Sequence, residues 1–386
     1  MPPTPKRTST GTSQTVVGRL VLDGRVTAGR IEVVRDRIES VSADPAGSDG
    51  PYVAPGFVDV HVHGWGGHDA MGGSAALDGM AAALLRHGVT SFLPTAVTAP
   101  LGRLAGFAEE VRGWSASAPD DGAAPLGFNL EGPCISAAKK GAQNESHILA
   151  PGAFADALEP LLDGLRIITV APELPRALDL IRRLARAGVA VSLGHSVATA
   201  DEAAAGYLAG ARTTTHLFNA MSGVDNHAPG LATAALADDD AYVELVADGL
   251  HVDERLWPLI VRTKPRDRLV LVTDAIQLAG AGEGSFELGG LPVVVQDGSC
   301  RLLSNGRLAG SIIALDTAVR RLVDHGVPLP DAVRAASRTP LELIGVHDRG
   351  RIAPGQRADL VELDANLGVQ RVMKAGRWNP GAAAST

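Results

Sequence analysis

The sequence predicts an α/β protein, a (β/α)8 barrel of the TIM type with a small β-sandwich formed by both chain ends. From residue 55 onward, apolar runs of strand length alternate with helical stretches, the rhythm of a parallel α/β fold. Before residue 55, and again at 350–364 (GRIAPGQRADLVELD), the chain reads as short strands joined by turns. A third observation separates the barrel from an open, doubly wound sheet. An open sheet feeds one crevice from a few strands, whereas here polar residues stand at the carboxyl ends of most strands.

The order of elements follows. Residues 1–14 (MPPTPKRTSTGTSQ) are polar, lack the apolar core of a signal peptide and read as a disordered lead. Residues 15–54 carry strands at 16–22, 29–34 and 38–41, which with 346–378 make the sandwich; 379–386 read as a tail. The barrel occupies 55–345, with strands expected at 56–62, 90–95, 127–130, 167–171, 190–194, 213–217, 243–247 and 269–273. Helical patterns lie at 74–87, 176–187, 199–209, 253–264, 314–325 and 330–338. In the second of these Leu178, Ile181 and Leu184 recur at three-residue spacing, with Leu180 beside them. The third opens on Thr199 with Glu202 three residues on, a capping box. The Gly- and Val-rich segment 283–308 reads as a β-hairpin insertion before the last helices.

At 386 residues the chain has room for one large domain and a smaller one. A net charge of −8 argues against a nucleic-acid surface. No apolar run is long enough to span a membrane. Two cysteines, Cys134 and Cys300, are too few for a disulfide framework, and a cytoplasmic protein is the simplest expectation.

The chemistry gathers at strand ends. In PGFVDVHVHG at 55–64, His61 and His63 are two apart on a strand and point the same way, so both imidazoles can meet one metal ion. Alone, an HxH pair can also be two unrelated histidines. Further strand ends supply Glu131 (NLEGP), His195 (GHS), His216 (THLFNAM) and Asp274 (TDA). Carboxylate and imidazole suit zinc or a similar divalent ion, and Glu131, His195 and His216 leave a fourth position open, as a catalytic site requires. Separate barrel strands bring such groups together at one mouth.

These pieces resemble the amidohydrolase superfamily, and within it the N-acetylglucosamine-6-phosphate deacetylase family. The matching motifs are PGFVDVHVHG, NLEGP, KKGA at 139–142, APE at 171–173, GHS, THLFNAM, DGLHV at 248–252, TDA, LAGS at 308–311 and GRIAPGQRADLV. The resemblance implies a metal-dependent hydrolase barrel that removes the acetyl group of an N-acetyl amino sugar. It implies a divalent metal, with zinc the expected ion, at one or two ions per chain. Glu131, His195 and His216 would hold the main ion; His61 and His63, with Glu131 bridging, a second. Other superfamily members bridge two metals with a lysine on the fourth strand; 167–173 has none. Asp274 is the expected general base and then general acid. Ala142 lies in the matched KKGA motif, and His251, Asn219 and the Ala220 backbone resemble the family's substrate contacts. A homodimer is implied, with the second subunit completing the phosphate site.

Two positions depart from the family pattern. Gln143 follows KKGA where a histidine is usual; its amide donates a hydrogen bond but carries no charge. His227 stands where an arginine usually grips the 6-phosphate, and lacks the guanidinium's permanent charge and fork. The sequence therefore leaves open whether the substrate is N-acetylglucosamine 6-phosphate or an unphosphorylated or differently modified relative. A barrel retired to binding is disfavoured, because every expected ligand type is present.

Overall fold

The computed structural model describes residues 13–288 and 291–379. The expected disordered lead lies outside the described residues for 1–12, and Ser13 already begins the first strand. At the other end Asn379 closes the last strand, and 380–386 lie outside the described residues.

Among the described residues, eight parallel strands pair in sequence order: Phe57–Val62, Val89–Ala96, Phe128–Cys134, Leu165–Val170, Ala190–Leu193, Thr213–Thr214, Tyr242–Val246 and Leu269–Val272. The first and eighth meet just past their ends. Asp274 N–H donates to His61 O (2.9 Å), and His63 N–H donates to Ala275 O (2.7 Å). These strands are buried almost throughout, because helices cover the outside and side chains fill the inside. Their polar members, such as Asp59, His61 and Glu244, are therefore placed inside a protein core.

The helices form where apolar residues recur on one face. Ala177–Arg186 buries Ala177, Leu180, Ile181 and Leu184, while Leu178 stays half-buried at the edge of that face. Ala200–Leu208 starts at the expected capping box: Glu202 N–H donates to Thr199 Oγ1 (3.2 Å), and Thr199 N–H donates to Glu202 Oε2 (2.8 Å).

Two strands end elsewhere than the sequence suggests. The third starts only after Gly127, whose φ is 112°, and runs on to Cys134. The sixth stops at Thr214 because His216 (φ 28°) and Phe218 (φ 75°) turn the chain into left-handed backbone.

The chain ends build one seven-stranded sheet among the described residues, four strands from 13–55 and three from 360–379. Its edge strand at 37–43 is bonded to the loop that leads into the strand at 360: Ile38 N–H donates to Gln356 O (2.9 Å) and Gly355 N–H to Ile38 O (2.8 Å). The sandwich is thus a single sheet folded over its own core of Val16, Leu20, Ile31, Val33, Leu360 and Met373. Asp23, in its first turn, accepts from Arg334 (2.8 Å) and Arg338 (2.9 Å) of the barrel. The insertion forms an antiparallel sheet of Gly284–Leu288, Leu291–Gln296 and Ser299–Leu302, packed on Ile276 and Leu278 beside the barrel mouth.

Candidate metal centre and substrate cavity

Six ligand-type side chains from five strand ends converge at the barrel mouth. They form two groups that share Glu131: His61, His63, Glu131 and Asp274, and Glu131, His195 and His216. Within each group the donor atoms lie within 4.8 Å of one another, and every member is buried. Glu131 Oε1 lies 2.9 Å from His195 Nε2 and 2.9 Å from His216 Nε2. Its Oε2 lies 3.4 Å from His63 Nε2. Asp274 Oδ1 lies 3.2 Å from His63 Nε2 and 3.5 Å from His61 Nε2.

The backbone is bent to achieve this. His195 (φ 47°), His216 (φ 28°) and Asp274 (φ 51°) all occupy left-handed conformations that non-glycine residues seldom adopt. Such strain persists only where the surroundings enforce it, and it gathers at functional sites. Gly194, one residue before His195, is needed for closeness: a Cβ there would stand 2.6 Å from the Thr215 Cβ.

Neighbouring groups fix the imidazoles. A carbonyl only accepts, so His63 donates from Nδ1 to Thr95 O (3.1 Å), and His195 donates from Nδ1 to Lys139 O (2.7 Å). His61 Nδ1 meets the Glu244 carboxylate at 2.9 Å. With Nδ1 holding the proton, the rings of His61, His63 and His195 turn a lone pair on Nε2 toward the centre. His61 and His63 Nε2 are 3.2 Å apart, and His195 and His216 Nε2 are 3.1 Å apart. Nitrogen lone pairs facing at such distances need a proton or a cation between them.

The charges make the same demand. Burial alone would lower the His61 pKa, but Glu244, Asp274 and Glu131 outweigh it and hold it at about 9. His63 is likewise pushed up, against burial, by Asp274 and Glu131. Burial would raise Glu131, yet His195, His216 and His63 hold it well below the usual carboxylate range. Several carboxylates in a dry site require compensating positive charge. A divalent cation supplies it, and the mixed nitrogen and oxygen donors fit one.

The centre opens into a cavity of about 660 Å³. Asn219, Ala220, His251, Ala142 and Gln143 all line it. Their side chains differ in freedom. Asn219 Nδ2 donates to His216 O and Leu217 O (both 3.2 Å), so it also holds its own loop. His251 Nδ1 is tied to Asp248 Oδ2 at 2.6 Å. Gln143 is bonded at both ends, to Thr98 and to Glu131. His227 does not line this cavity: it sits on the exposed loop 223–229, with Nε2 3.1 Å from Asn226 Nδ2.

Two residues escaped the sequence reading. Glu244 lies mid-strand in YVELV, where it receives His61 Nδ1 and the His216 N–H (3.2 Å). One charged residue in a buried strand was the available signal. Arg307, at the end of the insertion, lines the cavity, and among the described residues its guanidinium has no hydrogen-bond or ion-pair partner. The other cavity-lining cations are committed: Lys139 Nζ donates to Met221 O (2.9 Å), and Arg103 donates to Met71 O.

Comparison with known proteins places these features in context. Residues 52–379 match the model of the amidohydrolase family. The N-acetylgalactosamine-6-phosphate deacetylase of Escherichia coli O157:H7 is 36% identical over 88% of this chain and 91% of its own length. The human N-acetylglucosamine-6-phosphate deacetylase is 37% identical over 86% and 85%. Among solved structures, the N-acetylglucosamine-6-phosphate deacetylase of Thermotoga maritima superposes with a TM-score of 0.89 at 33% identity, covering 95% of this chain and 99% of the other. A mutant of the Mycobacterium smegmatis enzyme, in complex with N-acetyl-D-glucosamine-6-phosphate, gives 0.85 at 35% identity, covering 96% and 100%.

Proposed function

The chain belongs to the amidohydrolase family, and from that premise we propose that it hydrolyses the N-acetyl group of N-acetylglucosamine 6-phosphate to acetate and glucosamine 6-phosphate. The observation that carries this reading is Glu131, a buried carboxylate shared by two histidine pairs at the floor of a sugar-sized cavity. The galactose epimer is the second reading, favoured by the 36% identity to an N-acetylgalactosamine-6-phosphate deacetylase.

Glu131, His195 and His216 would hold one divalent ion, and His61, His63 and Asp274, with Glu131, a second; zinc suits this donor set. A divalent ion in such a site supplies Lewis-acid polarisation of the acetyl carbonyl. The remaining work falls to the chain. Asp274 faces the centre with its carboxylate ionised: His63 and His61 hold its pKa down against burial. It takes a proton from the attacking water and gives one to the nitrogen of the leaving amine. Amines leave poorly unless protonated, so one carboxylate serves both halves of the reaction. His251, its Nδ1 tied to Asp248, keeps Nε2 for a substrate hydroxyl.

No helix among the described residues is long and apolar enough to cross a membrane. A sugar-phosphate substrate and two buried free cysteines suit the cytoplasm. The exposed loop 223–229, with Val224 at 63% exposure, suits contact with a second copy in a homodimer. Acetate release measured over N-acetylglucosamine and N-acetylgalactosamine, each with and without the 6-phosphate, tests the reading. N-acetylglucosamine 6-phosphate should give the highest kcat/KM. Release from none of the four overturns it.

A further inference from the structure

Gln143 is 6% exposed, and both ends of its amide are engaged. The Thr98 N–H donates to Gln143 Oε1 at 2.7 Å. A backbone N–H can only donate, so this bond fixes which end of the amide faces which neighbour. Nε2 must then turn toward Glu131, and it donates to Glu131 Oε2. Thr98 Oγ1 also donates to Glu131 O (3.2 Å), so one loop grips the Glu131 backbone directly and its carboxylate through Gln143.

The two oxygens of Glu131 face different groups. Oε1 faces His195 and His216, with His61 Nε2 further off at 3.6 Å, and Oε2 faces His63. A carboxylate free to rotate about its last bond would serve both only part of the time. A donor held on Oε2 by a rigid neighbour stops that rotation, and the second lone pair of Oε2 stays available.

We propose that Gln143 is a positioning residue for the metal centre, locking the Glu131 carboxylate across both histidine pairs rather than contacting the substrate carbonyl. The proposal rests on the metal site of the preceding section but not on the identity of the sugar. Bonds of this kind to a ligating carboxylate typically change metal affinity by about 10- to 100-fold when removed.

Two variants separate this role from a structural one. Gln143→Glu keeps the shape and the acceptor for Thr98 N–H but loses the donor to Glu131. Gln143→Ala loses both. Zinc affinity is read by competition with a chromophoric chelator on purified full-length protein, with thermal unfolding at saturating zinc as a check on folding. Both variants should bind zinc about 10- to 100-fold more weakly than the native chain. If the Glu variant binds zinc as the native chain does while the Ala variant does not, only the Thr98 bond matters and the proposal fails. If both match the native affinity while kcat falls, Gln143 is a substrate contact and the proposal fails. A native chain that binds no zinc overturns the metal centre itself, whatever sugar is turned over.

Discussion

At the scale of single residues, the site is a balance between buried carboxylates and imidazoles. On the proposed mechanism, Asp274 is the member whose proton matters for turnover. Asp274→Asn keeps its size and removes the acceptor, so turnover should fall by at least about 100-fold. The ion held by Glu131, His195 and His216, which Asp274 does not ligate, should still be found by elemental analysis; unchanged turnover would remove Asp274 from the mechanism. Glu244 acts one bond further out, through His61 Nδ1. Glu244→Gln leaves an acceptor but removes the charge that keeps His61 oriented, and zinc affinity should weaken by about 10-fold or more. The six inner groups were legible because each stands at the end of an expected strand, where a barrel gathers its chemistry. Glu244 was not: a lone glutamate between valine and leucine gives no hint of which ring it meets across the barrel. The double bonding of Gln143 was equally hidden, since it depends on Thr98, 45 residues away.

At the scale of elements, each barrel strand could be placed from its apolar run, and the capping box announced the helix at Ala200–Leu208. Strand ends were the weak point, because the residues of the candidate site themselves break the pattern. His216 and Asp274 sit in left-handed backbone that residue-by-residue propensity disfavours, and tertiary contacts override that preference. The GHS motif has a packing reason as well as a chemical one. A methyl at Gly194 would meet the Thr215 side chain between two adjacent strands. Overpacking of this kind typically costs about 1–3 kcal/mol. Gly194→Ala should therefore lower the urea midpoint at unchanged m-value, and it should also displace His195 and weaken zinc binding. A midpoint equal to the native one would show that the strands part without strain.

At the scale of the whole molecule, the question is how the phosphate of the proposed substrate is held. The sequence pointed to position 227, and His227 lies on an exposed loop away from its own chain's cavity, where a second subunit's site is the one it could complete. It would reach a substrate only from a second copy, and an imidazole offers no bidentate fork. Arg307 is on the cavity wall of the same chain, four residues before Ser311, whose N–H is bonded to Asp274 O (2.8 Å). An unengaged guanidinium there is a stronger phosphate group than a distant imidazole. A charge-assisted contact contributes about 1.5–3 kcal/mol, or about 10- to 150-fold in kcat/KM. Arg307→Ala should therefore reduce kcat/KM for N-acetylglucosamine 6-phosphate by that factor and change the unphosphorylated sugar by less than about 3-fold. His227→Ala should have the smaller effect on the same ratio. If His227→Ala instead abolishes the preference while Arg307→Ala leaves it intact, the phosphate is held across a subunit boundary, and the cavity of one chain is not the complete site.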